Sequence, residues 1–182
     1  LYKEILKVNP NHFESVFYLG ALLVQTKNFD KAKPLLQKTI KVRPNFIAAH
    51  NNLGIVFKEL GESQKAISHL QKAIEIQPNF AEAHNNLGTV MKELEDHQKA
   101  ISCYEKAIQI NPNYVNAHNN LGIEFASLRE YKKAIGCYEK AIQIKPNYVN
   151  AHNNLGNIFK ILNDHQKAIG CYEKAIQINS NY

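Results

Sequence analysis

Apolar residues recur at steps of three and four along most of the chain, the spacing that places them on one face of an α-helix. In residues 81–114 two such series follow each other: Ala83, Leu87, Val90, Met91 and Leu94, then Ala100, Ile101, Tyr104, Ala107, Ile108 and Ile110. Glu95 and Asp96 interrupt the pattern between the series, and Pro112 ends the second one because proline lacks an amide donor. The pattern predicts a helical hairpin whose first helix covers about 82–94, with Asn113 as a favourable N-cap for the next helix.

This hairpin pattern returns every 34 residues. The block AHNNLG occurs at 49–54, 83–88, 117–122 and 151–156, and a fixed period of this size is typical of stacked repeat proteins. We predict a single array over 1–182 with five full repeats: 13–46, 47–80, 81–114, 115–148 and 149–182. Residues 1–12 match the second half of a truncated repeat. Repeat arrays need polar caps at their ends, so we expect the segment to come from a longer protein.

Small residues occupy fixed positions in each repeat, which indicates close helix packing. A glycine follows leucine in every first helix, although glycine inside a helix costs about 1 kcal/mol relative to alanine. Leucine–glycine in the first helix, alanine early and late in the second, and proline at its end resemble the tetratricopeptide repeat (TPR) family over essentially the whole chain. The resemblance implies an all-α fold, a right-handed α-solenoid superhelix of antiparallel helix pairs with first helices lining a concave groove. Histidine (His50, His84, His118, His152) stands where the family usually has a large aromatic residue.

Charge and composition narrow the possible partners and surroundings. The net charge is +6, but the lysines recur at fixed positions interleaved with glutamates, which favours a solvated outer face over a nucleic-acid stripe. No apolar run approaches the roughly 18 residues of a membrane span. Cys103, Cys137 and Cys171 are one repeat apart, about 10 Å in packed helices, beyond the reach of a disulfide. Three free thiols without a glycosylation motif predict a cytoplasmic location.

Neither a metal site nor a catalytic centre is predicted. The in-register histidines are one repeat apart, whereas zinc ligands all lie within about 2.3 Å of one ion. Cys103 recurs at its position in two further repeats, whereas an enzyme needs one asymmetric group of residues. We therefore expect no metal, no cofactor and no enzymatic activity.

The resemblance places the groove along the first helices, next to the Leu-Gly pair and one or two turns beyond it. The peptide-binding residues that it implies are Asn52, Asn86, Asn120 and Asn154, the neighbouring Asn51, Asn85, Asn119 and Asn153, and then Asn157, Lys58, Lys92 and Lys160. An amide side chain offers two donors and an acceptor, so a row of them suits the backbone of an extended peptide. Similar rows hold peptides in the superhelix of O-linked N-acetylglucosamine transferase-like proteins. Alternatively, the asparagines solvate the groove or bond to the neighbouring repeat.

The first repeat departs from this pattern, with Phe17 and Tyr18 in the asparagine positions. They either anchor an apolar part of the partner or pack against a preceding repeat. The family's carboxylate clamp is not favoured, because its lysine before the asparagine is missing. The predicted function is a non-catalytic protein-interaction module for an extended peptide. The alternatives are a self-assembly scaffold through uncapped repeat ends, and the substrate-recognition region of a glycosyltransferase-like or sulfotransferase-like enzyme.

Overall fold

The computed structural model describes residues 4–5 and 8–180. Within them lie ten helices: α1 (Phe13–Gln25), α2 (Phe29–Val42), α3 (Ile47–Glu59), α4 (Ser63–Ile76), α5 (Ala81–Glu93), α6 (His97–Ile110), α7 (Val115–Ser127), α8 (Tyr131–Ile144), α9 (Val149–Ile161) and α10 (His165–Ser180). No strand occurs in these residues. The predicted half-repeat 1–12 lies partly outside the described residues.

The chain divides into two compact units, Leu1–Val90 and Met91–Tyr182. In the first unit α1 pairs with α2 and α3 with α4, and α2 also contacts α3. In the second unit α7 pairs with α8 and α9 with α10, while α6 contacts α7 and α8 contacts α9. Each unit therefore consists of helical hairpins that pack on one another in chain order.

A left-handed residue closes each hairpin. Lys27, Gly61, Glu95, Arg129 and Asn163 have φ between 57° and 74°, and each lies two residues before the second helix of its hairpin. The amide of the following residue bonds back into the end of the first helix, as Glu62 N does to Phe57 O at 2.8 Å. The break that Glu95 and Asp96 make in the apolar pattern thus corresponds to this turn.

The connection between hairpins differs from the prediction at its capping residue. Tyr114, not Asn113, is the N-cap of α7, and its side chain makes no capping hydrogen bond. The backbone N–H of Asn113 instead donates to Asn111 Oδ1 at 3.1 Å, and this bond closes a local turn after α6. The asparagine therefore shapes the loop rather than the helix end.

The glycines of the first helices touch large side chains of the paired helix. A Cβ built on Gly122 would lie 2.6 Å from Cε1 of Tyr138, and one on Gly156 would lie 2.7 Å from Cε1 of Tyr172. Tyr138 is only 2% exposed, so its ring has no space into which to move. The close packing predicted from the recurring glycines is therefore present at these contacts.

The histidines of the AHNNLG block tie each first helix to the loop before it. Nε2 of the histidine donates to the carbonyl of the proline six residues earlier, at 2.8 Å for His50, 3.0 Å for His84, 2.9 Å for His118 and 2.8 Å for His152. A large aromatic ring without a donor could not make this bond. The departure from the family's usual residue thus replaces a packing contact with a hydrogen bond.

Candidate functional site

The two asparagine rows differ in burial. Asn51, Asn85 and Asn119 are 6%, 5% and 4% exposed, so these side chains lie almost entirely inside the protein. The row that follows them by one residue is half-buried: Asn52, Asn86, Asn120 and Asn154. Asn153, in the last repeat, is also half-buried. The half-buried row is thus the one that presents amide groups at the surface of the first helices.

Hydrogen bonds connect the two rows between neighbouring repeats. Asn86 Nδ2 donates to Asn51 Oδ1 at 2.9 Å in the first unit. Asn154 Nδ2 donates to Asn119 Oδ1 at 3.0 Å in the second. In both units a partly exposed amide is therefore held by a buried one, and the bond to the neighbouring repeat that the sequence left open as an alternative is present in these pairs.

The bond between the rows leaves part of the Asn86 side-chain amide for another molecule. An amide carries two N–H groups and a carbonyl oxygen with two lone pairs. Asn86 uses one N–H on Asn51, and its Oδ1 receives only a long 3.5 Å contact from Asn85 Nδ2. Thr89, one turn later, donates its hydroxyl to the backbone carbonyl oxygen of Asn86 at 2.7 Å, and its own oxygen is still able to accept a hydrogen bond. The Asn86 side chain is consequently fixed in orientation but keeps both a donor and an acceptor.

In the first unit the predicted groove residues Lys58 and Asn86 share one small pocket of about 150 Å³. Its lining residues are Gly54, Ile55, Lys58, Leu70, Asn86, Thr89 and Val90. The Lys58 side chain is 19% exposed and its Nζ lies 2.6 Å from Glu59 Oε1, so its charge is already balanced. The pocket therefore combines a neutralised ammonium, an amide and a hydroxyl above an apolar base.

The remaining predicted residues occupy more exposed positions. Asn157 lies at the surface of α9 and accepts a hydrogen bond from the Tyr172 hydroxyl at 2.8 Å. Lys160, one turn further along α9, is exposed, and so is Lys92 near the end of α5. In α1 the Phe17 ring is buried against Phe46 at the end of the same repeat, with centroids 4.7 Å apart, whereas Tyr18 is 50% exposed.

One buried charged group escaped the sequence analysis. Glu124 is 1% exposed in a position that valine or isoleucine fills in the other AHNNLG repeats (Val56, Val90, Ile158). Its Oε2 lies 2.8 Å from His97 Nδ1, while its Oε1 has no hydrogen-bond partner among the described residues. The Tyr104 hydroxyl is likewise buried without a described partner, and burial together with the Glu124 charge raises the pKa of Tyr104. In the sequence, the signal for this cluster is Glu124 itself, an acidic residue at a repeat position that is otherwise apolar.

Three other titratable side chains, Cys103, Cys137 and His69, have shifted pKa values. Burial raises the pKa of Cys103 and of Cys137 to about 11, which keeps both thiols protonated and poorly nucleophilic near neutral pH. Burial and the neighbouring His50 lower the pKa of His69 to about 4. No three His, Cys, Asp or Glu side chains are grouped as potential metal ligands in residues 4–5 and 8–180.

Comparisons with known proteins agree with the helical hairpins and the 34-residue period. Family models described as tetratricopeptide repeat match residues 13–79, 48–112, 79–147 and 149–182. The chain belongs to the tetratricopeptide repeat family. Its fold class, predicted as an all-α solenoid of TPR helix pairs, is confirmed. TPRs are generally modules for protein–protein interaction rather than catalysts.

Several solved TPR structures are similar to the chain. A crystal structure of MamA is 29% identical, with a TM-score of 0.74, over 89% of this chain and 95% of that one. PilF of Pseudomonas aeruginosa has a TM-score of 0.84 at 22% identity, over 91% and 75%. YrrB, a TPR protein with an unusual peptide-binding site, has a TM-score of 0.66 at 19% identity, over 100% and 93%. No curated protein sequence matches the chain. None of the helices in the described residues has the length and apolar character needed to cross a membrane.

Proposed function

We propose that the half-buried asparagine row binds an extended peptide of a partner protein mainly through the peptide backbone. The observation that carries this proposal is the pair of bonds Asn86 to Asn51 and Asn154 to Asn119, at 2.9 and 3.0 Å. A surface amide that is fixed by a buried one loses little rotamer freedom when it binds, and this reduces the entropic cost of association. Peptide binding by YrrB, a protein of the same fold, supports the proposal.

Backbone recognition follows from the chemistry of the row. The side-chain amides of Asn86 and Asn154 each use one N–H on the neighbouring repeat, which leaves the second N–H for a peptide carbonyl and the oxygen for a peptide N–H. Charged groups contribute little to this part of the site, because the Lys58 ammonium is paired with Glu59. Such a site therefore accepts many side-chain sequences, provided that the partner segment is extended and its backbone groups are accessible.

The proposal is tested with a phage-displayed library of unstructured peptides of about ten residues, a length that spans roughly 33 Å when extended. Isothermal titration calorimetry then measures the selected peptides on wild type and on the double variant Asn86→Ala/Asn154→Ala. We expect a roughly tenfold or greater loss of affinity, since each lost hydrogen bond contributes about 1 kcal/mol. N-methylation of alternate peptide amides weakens binding similarly, whereas alanine replacement of most peptide side chains does not.

The matched control is Gln98→Ala, which removes an exposed amide from the second helix α6. It leaves the affinity unchanged, and circular dichroism confirms that every variant remains helical. The proposal is wrong if the asparagine variant binds the selected peptides as tightly as wild type. It is also wrong if N-methylated peptides keep their affinity.

Asparagine rows of this kind led us to expect similarity to O-linked N-acetylglucosamine transferase-like proteins. We propose that the chain, where it is joined to such a catalytic domain, selects the substrates of that domain by the same backbone recognition. The single array of five repeats and the cytoplasmic location are proposed on the sequence grounds given above.

A further inference from the structure

One position of the second helices distinguishes the early repeats from the late ones. Leucine occupies it in the first two repeats, whereas tyrosine occupies it in the last three: Leu36, Leu70, Tyr104, Tyr138 and Tyr172. Leu70 packs on the glycine of its paired first helix, Gly54, in the same way that Tyr138 packs on Gly122. Leucine and tyrosine therefore stand at equivalent places in the fold, and they differ by the outer part of a ring and a hydroxyl.

The tyrosine of the last repeat shows how far this side chain extends. A Cβ built on Gly156 would lie 2.7 Å from Cε1 of Tyr172, and the Tyr172 hydroxyl donates to Asn157 Oδ1 at 2.8 Å. Asn157 directly follows the glycine and is one of the predicted groove residues. The ring thus extends from the contact between the two helices to the surface that faces the groove.

The small pocket of the first unit lies where the second repeat lacks such a ring. Its lining includes Gly54, Leu70 and Ile55, which is the residue equivalent to Asn157. A tyrosine at position 70 would extend past Gly54 towards Ile55 and occupy this space. We call the space the Leu70 pocket, and we attribute it to the shorter side chain at position 70.

The Leu70 pocket has an uncharged character. Three branched aliphatic side chains line it, those of Ile55, Leu70 and Val90. Its polar lining residues are already bonded: Asn86 to Asn51 at 2.9 Å, Thr89 to the Asn86 backbone at 2.7 Å, and Lys58 to Glu59 at 2.6 Å. A charged ligand group would lose its hydration here without meeting an unbalanced opposite charge. An apolar group gains free energy by leaving water for these surroundings.

The volume of the Leu70 pocket limits the size of that group. A cavity of about 150 Å³ with an apolar lining is large enough for a benzene molecule. The side chains of leucine and isoleucine are of this order of size. A methyl group leaves most of the space empty, so that lining atoms lose their van der Waals partners, whereas an indole ring is too large.

Asn86 connects the Leu70 pocket to the surface that is proposed to bind peptides. Its side chain lines the pocket and is held in orientation by the bond to Asn51. Along an extended peptide successive side chains point to opposite sides. When a backbone group of such a peptide bonds to Asn86, the side chain of that residue or of its neighbour therefore points towards the first helices, beside the pocket.

We propose that the Leu70 pocket takes one leucine-sized aliphatic side chain of the bound peptide. The inference rests on the proposed peptide-binding function and adds a side-chain preference to it. Backbone groups are the same at every residue, so amides alone do not determine which part of a partner sequence is bound. One apolar anchor beside Asn86 fixes the register of the peptide.

The variants that test the pocket take their new residues from the same position of other repeats. Leu70→Tyr fills the pocket with the side chain that the last three repeats have there. Ile55→Asn makes one wall polar, as in the fifth repeat. The matched control is Ile123→Asn, which makes the same change in the fourth repeat, where Tyr138 already covers the glycine. Circular dichroism and thermal unfolding establish which variants are folded.

The library of unstructured decapeptides is selected in parallel on wild type and on each variant. We expect wild type and Ile123→Asn to enrich leucine or isoleucine at one peptide position, and Leu70→Tyr and Ile55→Asn to lose this enrichment. Isothermal titration calorimetry then compares a selected peptide with its leucine-to-alanine form. The replacement weakens binding to wild type about tenfold or more, because a buried leucine side chain contributes at least that factor to affinity. On Leu70→Tyr the same replacement has an effect below about threefold.

The pocket proposal is overturned if wild type enriches no aliphatic position, or if folded Leu70→Tyr keeps the enrichment. Should Leu70→Tyr not fold, retention of the enrichment by Ile55→Asn overturns it instead. Asn154→Ala separates these outcomes from a failure of the proposed function, because Asn154 is in the second unit and does not line the pocket. If the asparagine row binds the backbone, Asn154→Ala weakens the leucine and alanine peptides by the same factor. Unchanged affinity of both peptides would count against the row, and the result for Leu70→Tyr would still decide the pocket.

Discussion

Replacing Glu124 by isoleucine is expected to stabilise the protein. The carboxylate is 1% exposed, has one hydrogen bond from His97 at 2.8 Å, and leaves its other oxygen without a described partner. An unsatisfied buried polar group costs about 1–3 kcal/mol, and the Glu124 carboxyl is such a group, whereas the side chain of its partner His97 is 40% exposed. Ile158 fills the same repeat position at 3% exposure, so the side chain fits this environment. We expect Glu124→Ile to raise the free energy of unfolding by about 1–3 kcal/mol.

Urea unfolding followed by circular dichroism measures this change. Wild type and variant are compared with the same dependence of the free energy of unfolding on urea concentration. The matched variant His97→Ala removes the other partner and leaves the carboxylate buried and unpaired, so it lowers the free energy of unfolding by up to about 3 kcal/mol. In the Glu124→Ile background His97→Ala has almost no effect, because the coupling between the two residues is gone. A loss of more than about 1 kcal/mol in Glu124→Ile would refute the reasoning, since it would mean that the buried pair stabilises more than its apolar replacement.

Three further predictions concern His69, the glycines Gly122 and Gly136, and Cys137. The folded state binds fewer protons at His69 than the unfolded state as pH falls from 6.5 towards 4, so the free energy of unfolding decreases over that pH range. In urea unfolding at several pH values, His69→Cys makes the free energy of unfolding less dependent on pH. An unchanged pH dependence in this variant would contradict the prediction. Gly122→Ala lowers stability by about 1–3 kcal/mol through its contact with Tyr138, whereas Gly136→Ala raises it by about 0.5–1 kcal/mol; thermal unfolding distinguishes them, and equal effects would be inconsistent with the packing. Iodoacetamide at pH 7.5 alkylates Cys137 roughly 10–100-fold more slowly in the folded than in the urea-unfolded protein; equal rates would mean that the thiol is not buried.

The helices were the most predictable part of the structure. The apolar period placed the first helix of repeat 81–114 at about 82–94, and the structure has it at Ala81–Glu93. The turn after it was also predicted, because two polar residues interrupt the pattern there. The predicted N-cap of α7 was wrong. Asn113 is a residue type that caps helices well, but its backbone N–H bonds to Asn111 Oδ1 in a turn after α6, and the helix begins one residue later than predicted.

The candidate site was only partly predictable, because its decisive contacts join residues of different repeats. Periodicity identifies which asparagines share a position, but not that Asn86 donates to Asn51, 35 residues earlier. That bond depends on how two neighbouring first helices are aligned, which the period of the sequence does not specify. The Glu124 cluster was missed for a similar reason. An acidic residue in an apolar position is visible in the sequence, whereas its histidine partner comes from the preceding hairpin.

If all repeats were identical, every interface between neighbouring hairpins would contain the same residues. Positions where one repeat differs from the others therefore indicate how its interfaces and surface differ. Glu124 replaces an apolar residue at a buried position, where we expect it to lower stability and where it adds a polar contact to His97. Gly136 and Gly170 stand at an exposed position that serine fills in the second and third repeats, and they cost helix stability although an added Cβ would meet no atom within 4 Å. Both changes are unfavourable for folding alone. Because Glu124 is buried and the two glycines are exposed, of these three residues only the glycines lie where another molecule can contact them directly.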